Sequence, residues 1–172
     1  MARDRIDSEL FKKCESSNRK QGGRIAIDKA VRHVLLDAHS TDPSFPRLID
    51  KKFFVEVGSN KIDIKSDCSL QVADTDKCIF IEIKGYGTDT NSLNSAILVA
   101  LIAKKFDSSG KFTNALFYYL GGSNSSEFEK GRTVPSLVGF ARSQKLIDGF
   151  FGFGEIDKLL ENIKERATDP HD

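Results

Sequence analysis

The stretch Ser66–Gly85, SDCSLQVADTDKCIFIEIKG, decides how the chain is read. Apolar and polar residues alternate on both sides of a short polar centre, the pattern of two strands joined by a turn. The second strand carries Glu82 and Lys84 inside an isoleucine run. Taking Thr75-Asp76 as a two-residue loop pairs Asp74 with Lys77. It sets Leu70 against Ile81, Val72 against Ile79 and Cys68 against Ile83. One face of the hairpin is then wholly apolar and can be buried. The other face puts Asp67 opposite Lys84 and Ser69 opposite Glu82, so three ionisable groups meet there. The same register sends Cys68 and Cys78 to opposite faces, which excludes a bond between them.

Neighbouring carboxylates repel unless a cation lies between them. Oxygen donors without Cys or His favour Mg2+, with Mn2+ able to substitute. A lysine beside them supplies a point charge for a phosphate oxygen or a water. Such a set suits metal-assisted phosphodiester hydrolysis. The other reading is an exposed cross-strand ion pair of little energetic value. Phe80 shares the face of Glu82, which argues for partial burial instead.

Working outward, the flanking segments form an α/β succession. RIAIDKAVRHVLLDA places Ile27, Ala30, Val31, Val34, Leu35 and Ala38 on one helical stripe. The residues before it, SSNRKQGG, read as a loop, and HSTDPSFPRL after it as another. KKFFVEV is a strand, and KIDIKSDCSLQVAD a long alternating strand bent near Ser66. After the hairpin, YGTDTNS is a loop with Thr90 or Asn91 as helix cap. LNSAILVALIAKKF is a helix, and KFTNALFYYL an apolar strand parallel to CIFIEIKG. Beyond it lie a long polar loop, a short helix, an edge strand at KLIDGFFGFG and a final helix at EIDKLLENIKER. Another short helix is expected over Arg3–Glu15.

Asp67 followed fifteen residues later by Glu82-Ile83-Lys84 resembles the active-site motif of the PD-(D/E)xK nuclease superfamily. The resemblance implies a restriction-endonuclease-like core, helix–three strands–helix–strand, with a central mixed sheet flanked by helices. That core would occupy about residues 24–120 of a single domain spanning 1–172, with peripheral elements over 121–172. The first acid maps to Asp67, the second to Glu82 and the lysine to Lys84; Ser66 stands where the family often has proline. Asp67, Glu82 and the Ile83 carbonyl would hold the metal. Asp63 is an alternative first acid, and Asp28 a candidate for the acid many members carry on the first helix. A rival run, Asp50 then Asp63-Ile64-Lys65, lacks the following loop, helix and buried strand. The implied activity is Mg2+-dependent endodeoxyribonuclease cleavage leaving 5′-phosphate ends. It would belong to a type II restriction endonuclease, acting as a homodimer or as the small catalytic subunit of a heterodimer with a larger partner. A junction or repair nuclease and a non-catalytic DNA-binding module are the alternatives.

Arg19, Lys20, Arg24, Lys130 and Arg132 are candidates for DNA phosphates. Nine Lys/Arg against five Asp/Glu between Met1 and His33, and three against seven from Leu146 to Asp172, give the chain an uneven charge despite a net +1. The scattered histidines His33, His39 and His171 do not suggest histidine-based catalysis. Three cysteines without a CxxC pair argue against a zinc knuckle and for a reducing, cytoplasmic setting. The charged N-terminus has no leader-like apolar segment, and AILVALIA is too short for a membrane span.

Overall fold

The computed structural model describes residues 21–84, 90–122 and 124–168. Helix α1 (Gln21–Thr41) opens the described chain. Three short strands follow, β1 (Arg47–Ile49), β2 (Phe53–Val57) and β3 (Asn60–Ile64). The central hairpin is β4 (Cys68–Gln71) and β5 (Cys78–Lys84). Helix α2 (Thr90–Leu101) continues as a π-turn through Phe106, and β6 (Leu116–Gly121) comes next. A 3-10 turn (Ser125–Glu129), α3 (Thr133–Ser143), β7 (Gly149–Phe151) and α4 (Ile156–Thr168) complete the order.

A five-stranded mixed sheet in the order β1-β4-β5-β6-β7 lies at the centre. β1, β4 and β5 pair antiparallel; β6 and β7 add in parallel. The parallel step from β5 to β6 uses α2 as its crossover, as parallel neighbours require. All six residues of β6 are buried, because both faces of the sheet are covered there. On one face Ile27, Val31 and Leu35 of α1 and Leu159 and Ile163 of α4 pack on Cys68, Leu70, Ile79, Ile81 and Ile83. On the other, Leu93 and Ile97 of α2, Val138 and Ala141 of α3, and Phe53 and Val55 of β2 cover Phe80, Phe117 and Tyr119. Tyr118 and Tyr119 are thus core residues, as are Phe150 and Phe153.

Several boundaries differ from the sequence reading. α1 already runs from Gln21, so Gln21-Gly22-Gly23 belong to the helix and not to a loop. Helix propagation from its buried stripe carries through the two glycines of the first turn. The first strand of the main sheet is β1, in a segment expected to be loop, while β2 and β3 form a separate two-stranded sheet. The long alternating strand expected through Ser66 is two strands in two sheets. Between them the Ser66 hydroxyl bonds to Cys68 O and Ser69 Oγ, holding the chain in a bend. The expected loop after Gly122 contains the 3-10 turn, which buries Phe128. The Arg3–Glu15 helix lies outside the described residues.

Candidate active site

The hairpin register is two residues away from the expected one. Cys68 faces Ile81, Ser69 faces Phe80, Leu70 faces Ile79 and Gln71 faces Cys78. A four-residue loop, Ala73–Asp76, replaces the two-residue turn, closed by Val72 N donating to Lys77 O at 3.1 Å. Asp74 takes a left-handed conformation there (φ 58°), which Asp tolerates better than most residues. A shift of two preserves the side-chain parity, so the apolar face still closes while the charged partners change.

Asp67 is therefore not opposite Lys84. Its N–H donates to Ile81 O at 3.1 Å although Cys68 is already the partner of Ile81. Two residues of one strand thus meet one residue of the other, the signature of a bulge that re-aims a side chain. Asp67 Oδ2 then accepts the Ile83 N–H at 2.7 Å. The carboxylate takes the ladder position that the departing backbone has vacated. It is bonded to the amide lying between Glu82 and Lys84. Lys84 Nζ stands 2.5 Å from Glu82 Oε1, with side chains only 15% and 17% exposed.

The three residues sit at the carboxyl end of β5, where open α/β sheets commonly bind ligands. The end of β6 forms one wall: Gly121 pairs with Lys84, and a Cβ there would lie 3.4 Å from Lys84 Cβ. On α1, Arg32 donates to the Asp67 carbonyl at 2.5 Å. Asp28, one helical turn earlier, has a buried Oδ1. Burial pushes the Cys68 thiol up to about 12; the charges of Asp67 and Asp28 add to the rise and Arg32 opposes it. The charges of Arg32, Asp67 and Asp28 are thus all felt at one buried sulfur. Sequence reasoning reached Asp28 but missed Arg32, whose link to Asp67 is visible only once α1 packs on β4.

The other candidates are dispersed. Asp63 is exposed on β3, opposite Phe54 in the separate hairpin, and is not brought to the trio. Lys130 and Arg132 are exposed on the segment between the 3-10 turn and α3. Arg24 lies on α1. Arg19, Lys20 and most of the YGTDTNS loop fall outside the described residues. His39 Nδ1 contacts Phe45 O at 2.7 Å, a structural role.

The oxygen donors at this end of β5, two carboxylates and the Ile83 carbonyl, are of the type a hard divalent cation takes. Among the described residues no three His, Cys, Asp or Glu form a metal cage, so a site here would draw on two carboxylates and the backbone. The Ile83 N–H points toward Asp67. In a strand the carbonyl of a residue points to the same side as its N–H, so Ile83 C=O faces that edge too, past the start of β4. Mg2+ is commonly held by one or two carboxylates with the remaining positions filled by water.

The fold is similar to that in the crystal structure of protein VC1899 from Vibrio cholerae, at a TM-score of 0.55 and 14% sequence identity. The match covers 87% of this chain and 37% of that one, so the chain spans little more than a third of the length of VC1899. At this identity the likeness shows the fold alone. No family model matches the sequence, and neither does any curated protein. Among the described residues no helix is long and apolar enough to cross a membrane.

Proposed function

We propose that the chain is a metal-dependent endodeoxyribonuclease of the PD-(D/E)xK type, hydrolysing phosphodiester bonds of DNA at Asp67, Glu82 and Lys84. The observation that carries this reading is the Asp67 Oδ2 bond to the Ile83 amide, between Glu82 and Lys84. A strand-edge carboxylate is thereby locked onto the backbone between a second acid and a lysine. The order α1, β1, β4, β5, α2, β6 supports the restriction-endonuclease-like core, with β2–β3 as an insertion after the first strand.

Asp67, Glu82 and the Ile83 carbonyl would hold Mg2+, with Mn2+ able to substitute. When bound, the cation would supply Lewis-acid stabilisation of charge on the phosphate and a more acidic water. Asp67 is pre-set for this by its backbone bond, which costs no reorganisation during reaction. Lys84 Nζ donates to the attacking water or to a non-bridging phosphate oxygen, and its positive charge offsets the charge gathering there. Glu82 keeps Lys84 at this position through their contact. Lys130 and Arg132 supply phosphate contacts on the segment leaving β6. Cleavage of both strands would need two such sites. A homodimer, or a heterodimer with a larger recognition subunit in a restriction enzyme, would provide them.

The test is incubation with plasmid and Mg2+, followed by sequencing of fragment ends. Wild type should give fragments with 5′-phosphate ends, and Lys84→Ala should cut at least ~100-fold more slowly, the lower range for a positioned proton-transfer or charged group. Full Mg2+-dependent cutting by Lys84→Ala would overturn the assignment.

A further inference from the structure

The geometry points to Arg32 as a positioning residue that presets Asp67 for its role; we infer that it tunes divalent-cation affinity from α1, a helix on the far side of the sheet edge. The inference rests on the nuclease reading of the site. Asp67 lies where the chain falls out of step with β5. Three contacts hold it there. Its N–H reaches Ile81 O, its carboxylate reaches the Ile83 N–H, and its carbonyl accepts from Arg32 Nη2. The first two tether Asp67 to β5. The third comes from a different layer, α1. Ser66, whose hydroxyl braces Cys68 O and Ser69 Oγ, holds only the following residues. Arg32 thus couples the helix layer to the backbone that carries the carboxylate. An arginine suits the task because its charge survives burial and its planar fork reaches a carbonyl without being consumed as a ligand. Residues that orient metal-binding groups typically contribute ~10–100-fold to metal affinity or activity.

The experiment compares wild type, Arg32→Met, Arg32→Lys and Asp67→Asn. Mn2+ binding is measured by calorimetry, and hydrogen exchange at the Ile83 amide is measured in the metal-free proteins. Arg32→Met should weaken Mn2+ binding by ~10–100-fold and speed exchange at Ile83 more than at Ile79 and Ile81. Arg32→Lys, which keeps a cationic donor and serves if the methionine variant does not fold, should restore most of both. Equal Mn2+ affinity and equal Ile83 exchange in Arg32→Met would overturn the inference. So would a uniform acceleration of all three amides, which would make Arg32 merely structural. Unchanged Mn2+ binding in Asp67→Asn would instead overturn the nuclease reading, while the metal-free exchange at Ile83 would still decide the role of Arg32.

Discussion

Two groups of buried charge sit at opposite ends of β5 and β6, and they are built differently. At the amino end, Asp148 Oδ2 accepts from Lys104 Nζ and from Phe117 N, both at 2.8 Å, while Oδ1 pairs with Arg166 at 3.2 Å. Lys104 also donates to Lys145 O at 3.0 Å, and Asp148 N to Phe117 O at 2.7 Å. Both carboxylate oxygens are spent on a knot that ties β6, α4 and the π-turn together. At the carboxyl end the charges are divided between the two faces of the sheet: Arg32 of α1 donates to the Asp67 carbonyl, while Glu82 pairs with Lys84 on the side of Phe80. The Asp67 carboxylate is bonded to the Ile83 amide, so the charges at this end are tied to backbone and to separate layers rather than gathered on one carboxylate.

Removing a charge from each group gives the largest contrast. Asp148→Asn leaves Lys104 and Arg166 facing a neutral group, with Lys104 only 10% exposed. Breaking a buried pair this way costs about 3–5 kcal/mol, read as a fall in the urea midpoint at unchanged slope. Glu82→Gln removes the acid of the Glu82–Lys84 pair. Its stability in metal-free buffer should change by less than about 1 kcal/mol, or rise, as is usual when a functional site is disarmed. A loss in Glu82→Gln as large as that in Asp148→Asn would make the trio a structural ion pair and erase the distinction.

A smaller effect is expected at Gly122, where the chain leaves β6 beside the candidate site. Its φ is +70°, and an added Cβ would meet the Glu127 carboxylate. The left-handed backbone alone makes Gly122→Ala cost about 1–2 kcal/mol. Glu82→Gln and Gly122→Ala together sharpen the comparison, because they separate charge from backbone at one end of the sheet. A Gly122→Ala protein as stable as wild type would mean that the chain can leave β6 by another path.

The legible part of the fold was its parity. Alternation in β4 and β5 placed Leu70, Ile79, Ile81 and Ile83 on one core face before any coordinates, and a two-residue register shift preserves that division. The register itself was not legible, since ADTD closes a two- or a four-residue loop with equal ease and only packing decides. β1 escaped notice because three residues carry no measurable period. Glu82 and Lys84 stand out by their local spacing and Asp67 by its place before β4, but its sideways bond to the Ile83 amide depends on the bulge, which alternation does not encode. Arg32 and the Lys104–Asp148–Arg166 knot gave no local signal at all. Their partners lie tens of residues away and meet only after helices dock on the sheet.

The last and smallest contrast concerns protons. Burial holds Lys104 below its ordinary 10.5, outweighing the attraction of Asp148. Burial likewise lifts the Cys68 thiol from 9.0 to about 12. Both shifts favour the neutral form, but they act on stability with opposite signs. Between its folded value and 10.5, Lys104 binds fewer protons in the folded chain than in the unfolded one. That contribution is present above 10.5 and is lost as pH falls through the folded value. Cys68 binds more protons when folded between 9.0 and about 12. Its contribution is present below 9.0 and is lost as pH rises toward 12. Where the two windows overlap, the two trends oppose each other. Cys68→Ala removes the falling part. The gap in urea midpoint between wild type and Cys68→Ala should therefore narrow steadily from pH 9 to 10, in a sense that favours the variant. A constant gap would show that the thiol is not held neutral by its packing. Cys68 would then lie in more polar surroundings than the knot at the other end of the sheet, and burial would no longer act alike on the two.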